Sequence, residues 1–158
     1  KDIIKKTVIK YIKYDEIKVA FKQACSNTFR NVTNKRGYIL HAFYCAFWGL
    51  FQFDDYKTAI DSVITLGHIE NEKAKIAIPG KWKNKDIILG DTDTNAAITG
   101  ALLGAYYGLK KISSNEITKN NIETLLECNP NDGDIKRPSR YFMNSDNYKL
   151  FVDILNNL

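Results

Sequence analysis

Apolar and polar positions along the first 29 residues place Ile3, Ile4, Val8, Tyr11, Ile12, Ile17, Ala20, Phe21 and Ala24 on a roughly helical stripe, interrupted near Tyr14 and Asp15. The pattern predicts one or two amphipathic helices ending near Phe29. "NVTNKRG" over 31–37 is turn chemistry. "YILHAFYCAFWGLFQF" over 38–53 is apolar on nearly every side and predicts a buried helix. Asp54 and Asp55 follow as a turn or helix start. "YKTAIDSVITLG" over 56–67 reads as a short amphipathic helix closed by Gly67 as its C-cap. The stretch 68–89 has no clean period, with Pro79 and Gly80 marking a turn, and is predicted to be an irregular insert. An apolar run over 96–109 predicts another helix, and Ser113 to Glu116 has the Ser-x-x-Glu form of a helix start. "PNDGDIKRPSRYF" is loop, and "SDNYKLFVDILNNL" predicts a final amphipathic helix. Strand signals are few. The expectation is an all-α fold, a compact multi-helix bundle with an insert at 68–89 and a helical tail over 113–158, in a single domain over 1–158.

Composition narrows the class. At 44% hydrophobic and 26% charged residues, the chain reads as globular rather than disordered. The net charge of +5 is spread over 23 basic and 18 acidic residues, which describes a solvated lysine surface. Nucleic acid is therefore not expected as a partner. Cys25, Cys45 and Cys128 are odd in number and form no CxxC pair, so neither a disulfide framework nor a zinc site is indicated. A reducing, cytoplasmic compartment is expected. The run 38–53 is shorter than the roughly 20 residues of a membrane span, and no membrane association is expected. The sequence starts at Lys1 without methionine, which suggests a fragment or processed product. Nineteen lysines against four arginines point to an AT-rich genome, a viral source included.

The candidate chemistry sits in "GDTDTNAAITGALLGAYYG" over 90–108. Asp91 and Asp93 repel one another unless something compensates. Asp93 or Thr94 is a natural N-cap for a helix beginning near Asn95, and a capped helix requires no ligand. The alternative is a divalent-metal site, because hard cations such as Mg²⁺ take carboxylate and hydroxyl oxygens. Gly90 permits an unusual backbone angle or a close approach. Gly100, Gly104 and Gly108 share one helix face, with Ala97, Ala101 and Ala105 beside them. Each glycine costs about 1 kcal/mol of helix propensity, and close packing is the expected return. The helix is read as the central, buried one, holding the charged turn at its mouth.

That stretch closely resembles the C-terminal metal-binding signature of the ADP-ribosylglycohydrolase family, which includes dinitrogenase-reductase-activating glycohydrolase. "GYILHAFYCAFWGLFQFDDYKTAIDSVITLG" is similar to the segment that precedes the signature. The resemblance covers about a third of the chain. It implies an all-α fold, a pair of Mg²⁺ (or Mn²⁺) ions, and hydrolysis of the bond joining ADP-ribose to a protein or small-molecule acceptor. Asp91, Asp93 and Thr94 match the family's C-terminal metal ligands. The ions would grip the ribose hydroxyls beside the scissile bond and position or activate water. Gly90 and His41 are carried as substrate-side candidates, and no catalytic residue is assigned.

The sequence departs from the family in three ways. Twenty-two residues, His68 to Leu89, separate Gly67 from Gly90, where the family reads leucine-glycine-glycine-aspartate without interruption. Ile78, Pro79 and Trp82 resemble an Ile-Pro…Trp element that relatives place after the glycine helix. The family's N-terminal Thr/Ser-Asp-Asp-Thr motif and upstream glutamate are not in this sequence. Asp54 and Asp55 are the one adjacent aspartate pair, and "QFDDYK" reads as a turn. Two functions stay open. The chain is one part of a metal-dependent hydrolase whose other ligands come from an N-terminal segment or chain, or it is a non-catalytic relative serving as a component of an assembly. The other candidates have plainer readings. His41 is a core or rim histidine, His68 faces solvent, and no nucleophilic triad is recognisable. "NPNDGD" over 129–134 is a loop that lacks the glutamate of a calcium site. Lys81, Lys83 and Lys85 around Trp82 form a solvated loop.

Overall fold

The computed structural model describes residues 1–28, 30–33, 35, 37–77, 90–127, 149 and 153, with backbone alone over 67–77. Its elements are α1 (Asp2–Tyr11), α2 (Asp15–Cys25), α3 (Ile39–Gln52), α4 (Tyr56–Ala77), α5 (Thr92–Tyr107), α6 (Leu109–Ile112) and α7 (Glu116–Glu127). The described residues contain no strand, and the fold is all-α as expected. None of the described helices is long and apolar enough to cross a membrane. The chain forms two compact units, Lys1–Leu109 and Lys110–Leu158.

Within the first unit α3 is the hub, because its sequence offers apolar side chains in every direction. It buries Leu40, His41, Ala42, Tyr44, Cys45, Ala46, Gly49 and Leu50. Phe21 of α2 packs edge-on against Phe47 and Phe51, with centroids 5.0 and 5.8 Å away. Gln52 Nε2 donates to the carbonyls of Ala24 (2.7 Å) and Cys25 (3.3 Å), satisfying oxygens that the end of α2 leaves open. At the other end of the same pair, the Tyr38 hydroxyl donates to Glu16 Oε2 at 3.4 Å. Helices α2 and α3 therefore run in the same direction.

Helix α5 also runs parallel to α3. Near the C-terminal ends the Tyr107 hydroxyl donates to the Phe53 carbonyl at 3.3 Å. Midway, a Cβ placed on Gly49 would lie 2.9 Å from Thr99 Cγ2, so glycine is what lets the two helices approach this closely. Thr99 has no slack to yield, being fully buried with its Oγ1 donating to the Asn95 carbonyl at 2.7 Å. The three-residue connections 12–14 and 53–55 turn α1 and α4 back against this direction. The N-termini of α2, α3 and α5 consequently gather at one end of the unit.

Several local expectations need correction. Helix α4 passes through Gly67 and continues to Ala77, so 68–77 is helix and not irregular insert. Glu70, Glu72, Lys73, Ala74 and Lys75 are good helix formers, and together they outweigh the roughly 1 kcal/mol that one glycine costs. The remainder of the insert, 78–89 with Pro79, Trp82 and the lysines around it, lies outside the described residues. Helix α5 starts at Thr92, three residues earlier than expected, and Gly108 (φ +74°) is its C-cap and not part of its face. Ala97, Ala101 and Ala105 are exposed, so α5 is half-buried and α3 holds the centre.

In the second unit α7 starts at Glu116, where Asn115 Oδ1 accepts the Thr118 N–H at 3.1 Å. Asn115, and not Ser113, is thus the cap. The expected loop after Glu127, Cys128 and the expected final helix lie outside the described residues, apart from Lys149 and Asp153, both helical.

Asp54 and Asp55 fulfil the plainer expectation. Asp54 pairs with Lys1 at 3.1 Å on the surface. Asp55 Oδ1 accepts the Thr58 N–H at 2.8 Å, capping α4. That bond holds the Asp55 carboxyl below its ordinary value of 3.8. Asp55→Ala should lower stability by about 1 kcal/mol, read as a reduced urea midpoint at pH 7. A carboxyl with a lowered folded-state value contributes above 3.8 and loses its contribution as pH falls through that lowered value. The difference between wild type and variant should therefore close in strong acid. An equal difference at all pH values would show that the cap is not the cause.

Candidate metal centre

The end where the three N-termini gather is built by glycine and turn residues. Gly90 adopts φ +71°, and a Cβ there would lie 2.5 Å from the Val32 carbonyl oxygen and 3.3 Å from Thr33 Cα. No other residue lets the chain pass so near the 31–33 turn. Val32 anchors that turn in the core, and Asn31 Oδ1 accepts from Thr33 N (3.0 Å) and Oγ1 (3.2 Å). Gly37 (φ +73°) approaches from the other side, its Cβ direction ending 3.9 Å from Asp91 Oδ2. The Asp91 carboxylate is thus flanked by a second glycine that sequence reasoning took as turn chemistry alone. A glycine standing directly before the start of a helix was the sequence signal that could have marked it.

Asp91 is the N-cap of α5, with its carbonyl accepting the Asn95 N–H at 3.0 Å and its side chain making no capping bond. The expectation that Asp93 or Thr94 would cap is therefore corrected. Both lie in the first turn, exposed, while Asp91 is half-buried. The Asp93 carboxyl is held below its ordinary value, first by the Thr94 N–H and then by a hydrogen bond with the Asp91 carboxyl group. Two neighbouring carboxylate oxygens form a position of negative charge that a cation would offset. Free N–H groups at the start of α5, and of the parallel α3 beside it, favour the ionised form.

The structure brings Asp91, Asp93, Thr94 and Gly90 together and leaves Asp54 and Asp55 apart. That pair follows the C-terminus of α3, at the end where Tyr107 meets Phe53. Sixteen residues of α5 separate the two ends, roughly 24 Å at 1.5 Å per residue. Asp54 and Asp55 therefore do not complete the set at Asp91. His41 is buried, and its ring meets Tyr38 edge-on at 5.2 Å. Tyr38 directly follows Gly37, so His41 lies in the first turn of α3, at the same end of the unit as Asp91. His68 falls inside α4.

The oxygens that these residues offer are two carboxylates and a hydroxyl, the chemistry that Mg²⁺ and Mn²⁺ take. Three donors are half of an octahedral shell. Among the described residues, no group of three His, Cys, Asp or Glu side chains stands ready to hold an ion. The chemistry fits and the set is partial.

The class that the described residues define is that of all-α proteins, here with two carboxylates and a threonine at the start of a helix. The family model for ADP-ribosylglycohydrolase matches residues 87–131, a stretch that takes in this turn, α5, α6 and α7. The match is partial, and it supports membership of the ADP-ribosylglycohydrolase family. No curated protein and no solved structure matches the chain.

Proposed function

We propose that this chain is part of an ADP-ribosylglycohydrolase that hydrolyses the bond between ADP-ribose and a protein or small-molecule acceptor. The observation that carries the reading is the 91–94 turn, paired in its carboxylates, pinned between Gly90 and Gly37, and lying inside the family match. Asp91, Asp93 and Thr94 would hold Mg²⁺ or Mn²⁺. The remaining positions fall to water, substrate oxygens and carboxylates contributed by sequence outside these 158 residues. When bound, the metal supplies Lewis-acid polarisation and a template for the ribose hydroxyls.

The chain's own residues do the positioning. Asp93 stays ionised at neutral pH because the Thr94 N–H stabilises its charge, and a cation ligand must be deprotonated. Asp91 is fixed by the glycine-permitted turn, so the donors do not need to be reorganised on binding. Gly90 brings the chain against the 31–33 turn and so fixes where Asp91 stands, and His41 and Gly90 are kept as substrate-side candidates.

The test joins this chain to a segment carrying the family's Thr/Ser-Asp-Asp-Thr motif and measures release of ADP-ribose from an ADP-ribosylated protein. Release should require Mg²⁺ or Mn²⁺ and should stop with EDTA. The 158 residues alone should bind Mn²⁺ only in the micromolar range or weaker, because half the shell is water. Release that is indifferent to EDTA would overturn the metal assignment. Sub-micromolar Mn²⁺ affinity of the lone chain would show that the set is complete within it. A well-folded joined protein that releases nothing would favour the non-catalytic reading.

A further inference from the structure

Asn95 lies one turn into α5 and is 4% exposed. Its backbone is fully engaged, the N–H donating to the Asp91 carbonyl at 3.0 Å and the carbonyl accepting from Thr99 Oγ1 at 2.7 Å. Its carboxamide, with two N–H donors and an acceptor oxygen, has no hydrogen-bond partner among the described residues. A buried amide left unpaired lowers stability. Leucine has the same branched skeleton, carries no polar atom and favours the helix more. The fold alone therefore gives no reason for an amide here.

Its direction follows from the helix. Asn95, Thr99 and Leu103 recur four residues apart, all buried, and Thr99 and Leu103 lie against Gly49 of α3. This stripe of α5 therefore faces α3. Helix side chains lean toward the N-terminus, which aims the Asn95 carboxamide up the α3–α5 seam toward residue 91. The Asp91 carboxylate closes the seam from above. Its Oδ2 lies 3.9 Å from where a Cβ on Gly37 would stand, and Gly37 directly precedes Tyr38, the cap of α3. Asp91 and Asn95 thus share the α3 side of one helical turn, closed by their backbone bond. Residues four apart on a helix hold their Cβ atoms about 5–6 Å from each other, a gap that a direct hydrogen bond or one water bridges.

Beside the partial oxygen set at 91–94, this placement gives the amide a task. We propose that Asn95 is a positioning residue of the cation site, its NH2 group holding the Asp91 carboxylate in the ion-loaded protein, directly or across one water. Donation from beneath takes up one lone pair of the carboxylate and leaves the others for the exposed side, where Asp93 and Thr94 stand. A ligating carboxylate that is itself hydrogen-bonded binds its ion more tightly, because its orientation is already set. An amide suits the task better than a lysine or arginine, since it donates without a positive charge that would repel the cation. The inference rests on the metal reading of the 91–94 turn.

The experiment titrates Mn²⁺ into the 158-residue chain and follows the free ion by its electron paramagnetic resonance signal, with thermal midpoints taken separately without metal. Asn95→Leu should weaken Mn²⁺ by about tenfold or more, while its midpoint stays in place or rises because the unpaired amide is gone. Asn95→Ala should lose affinity to the same extent at a different midpoint, so that binding and stability separate. It also carries the test should leucine overfill the seam. Asn95→Ser, which keeps a donor and leaves room for water, should lose less than either. Asp93→Asn, measured in the same way, should lose Mn²⁺ binding and so marks the ion as held at the turn. Equal affinity in the wild type and the leucine and alanine variants, with Asp93→Asn still defective, would overturn this inference and leave the metal reading standing. An affinity that fell only in step with the midpoint would make Asn95 a packing residue and overturn it as well. Absence of Mn²⁺ binding by the wild-type chain even at millimolar ion would overturn both.

Discussion

Gly49→Leu is expected to lower stability by about 2–3 kcal/mol, the overpacking cost less the helix propensity gained. For a chain of this size that is a fall in thermal midpoint of roughly 5–10 °C. A Cβ at position 49 already lies 2.9 Å from Thr99 Cγ2, with Leu103 Cδ1 and Val63 Cγ2 both at 3.8 Å. Leucine must push three more carbons into that crossing, and Thr99 is held by its own bond to Asn95. Gly49→Ala should fall near zero, because the gain of about 1 kcal/mol in propensity offsets much of a single-methyl clash. Adding Thr99→Ala to Gly49→Ala should remove the clash, so the double variant should be more stable than the two single changes sum to. An unchanged midpoint for Gly49→Leu would mean that α3 and α5 do not cross here.

The same crossing shows what the sequence made legible and what it did not. The apolar run over 38–53 announced its burial, since no face of it is polar enough for water. The turn at 91–94 was legible because charge packed before an apolar helix has few uses. The glycine spacing in α5 was legible in part, since Gly100 does permit close packing on α4, where a Cβ would lie 3.0 Å from the Tyr56 hydroxyl. The tightest contact with α3 comes from Thr99 and Leu103 meeting a glycine on α3, while the alanines beside Gly100 and Gly104 face solvent. Spacing says that small residues share a stripe, but only a partner helix determines whether that stripe is the one buried. Gly67 misled in the same manner, because a glycine inside helix-forming sequence is a weak stop when its neighbours favour continuation. Parallel packing of α2, α3 and α5 was not legible at all. Hydrophobic periodicity is the same for a helix read in either direction, so the gathering of three N-termini at the Asp91 end emerged only from contacts such as Tyr38 to Glu16 and Tyr107 to Phe53.

Asp93→Asn in the joined, metal-dependent protein is expected to reduce ADP-ribose release by on the order of 100-fold or more. Loss of a partner that only orients a ligand already costs 10–100-fold, and Asp93 is assigned as a ligand itself. The fold should survive. Asp93 is exposed in the first turn of α5, and an amide oxygen can still accept the Thr94 N–H that the carboxylate accepts now. What asparagine lacks is the charge, which a divalent cation requires of its ligand. The thermal midpoint without metal should therefore stay nearly in place, while Mn²⁺ should no longer raise it. Acid separates the two roles further. The wild-type Asp93 carboxyl is held below its ordinary value of 3.8, so Mn²⁺ stabilisation should persist through mildly acidic pH and vanish only as Asp93 protonates. If Asp93→Asn kept both release and Mn²⁺ stabilisation, Asp93 would be a first-turn anion serving the helix alone, and the metal would have to lie elsewhere.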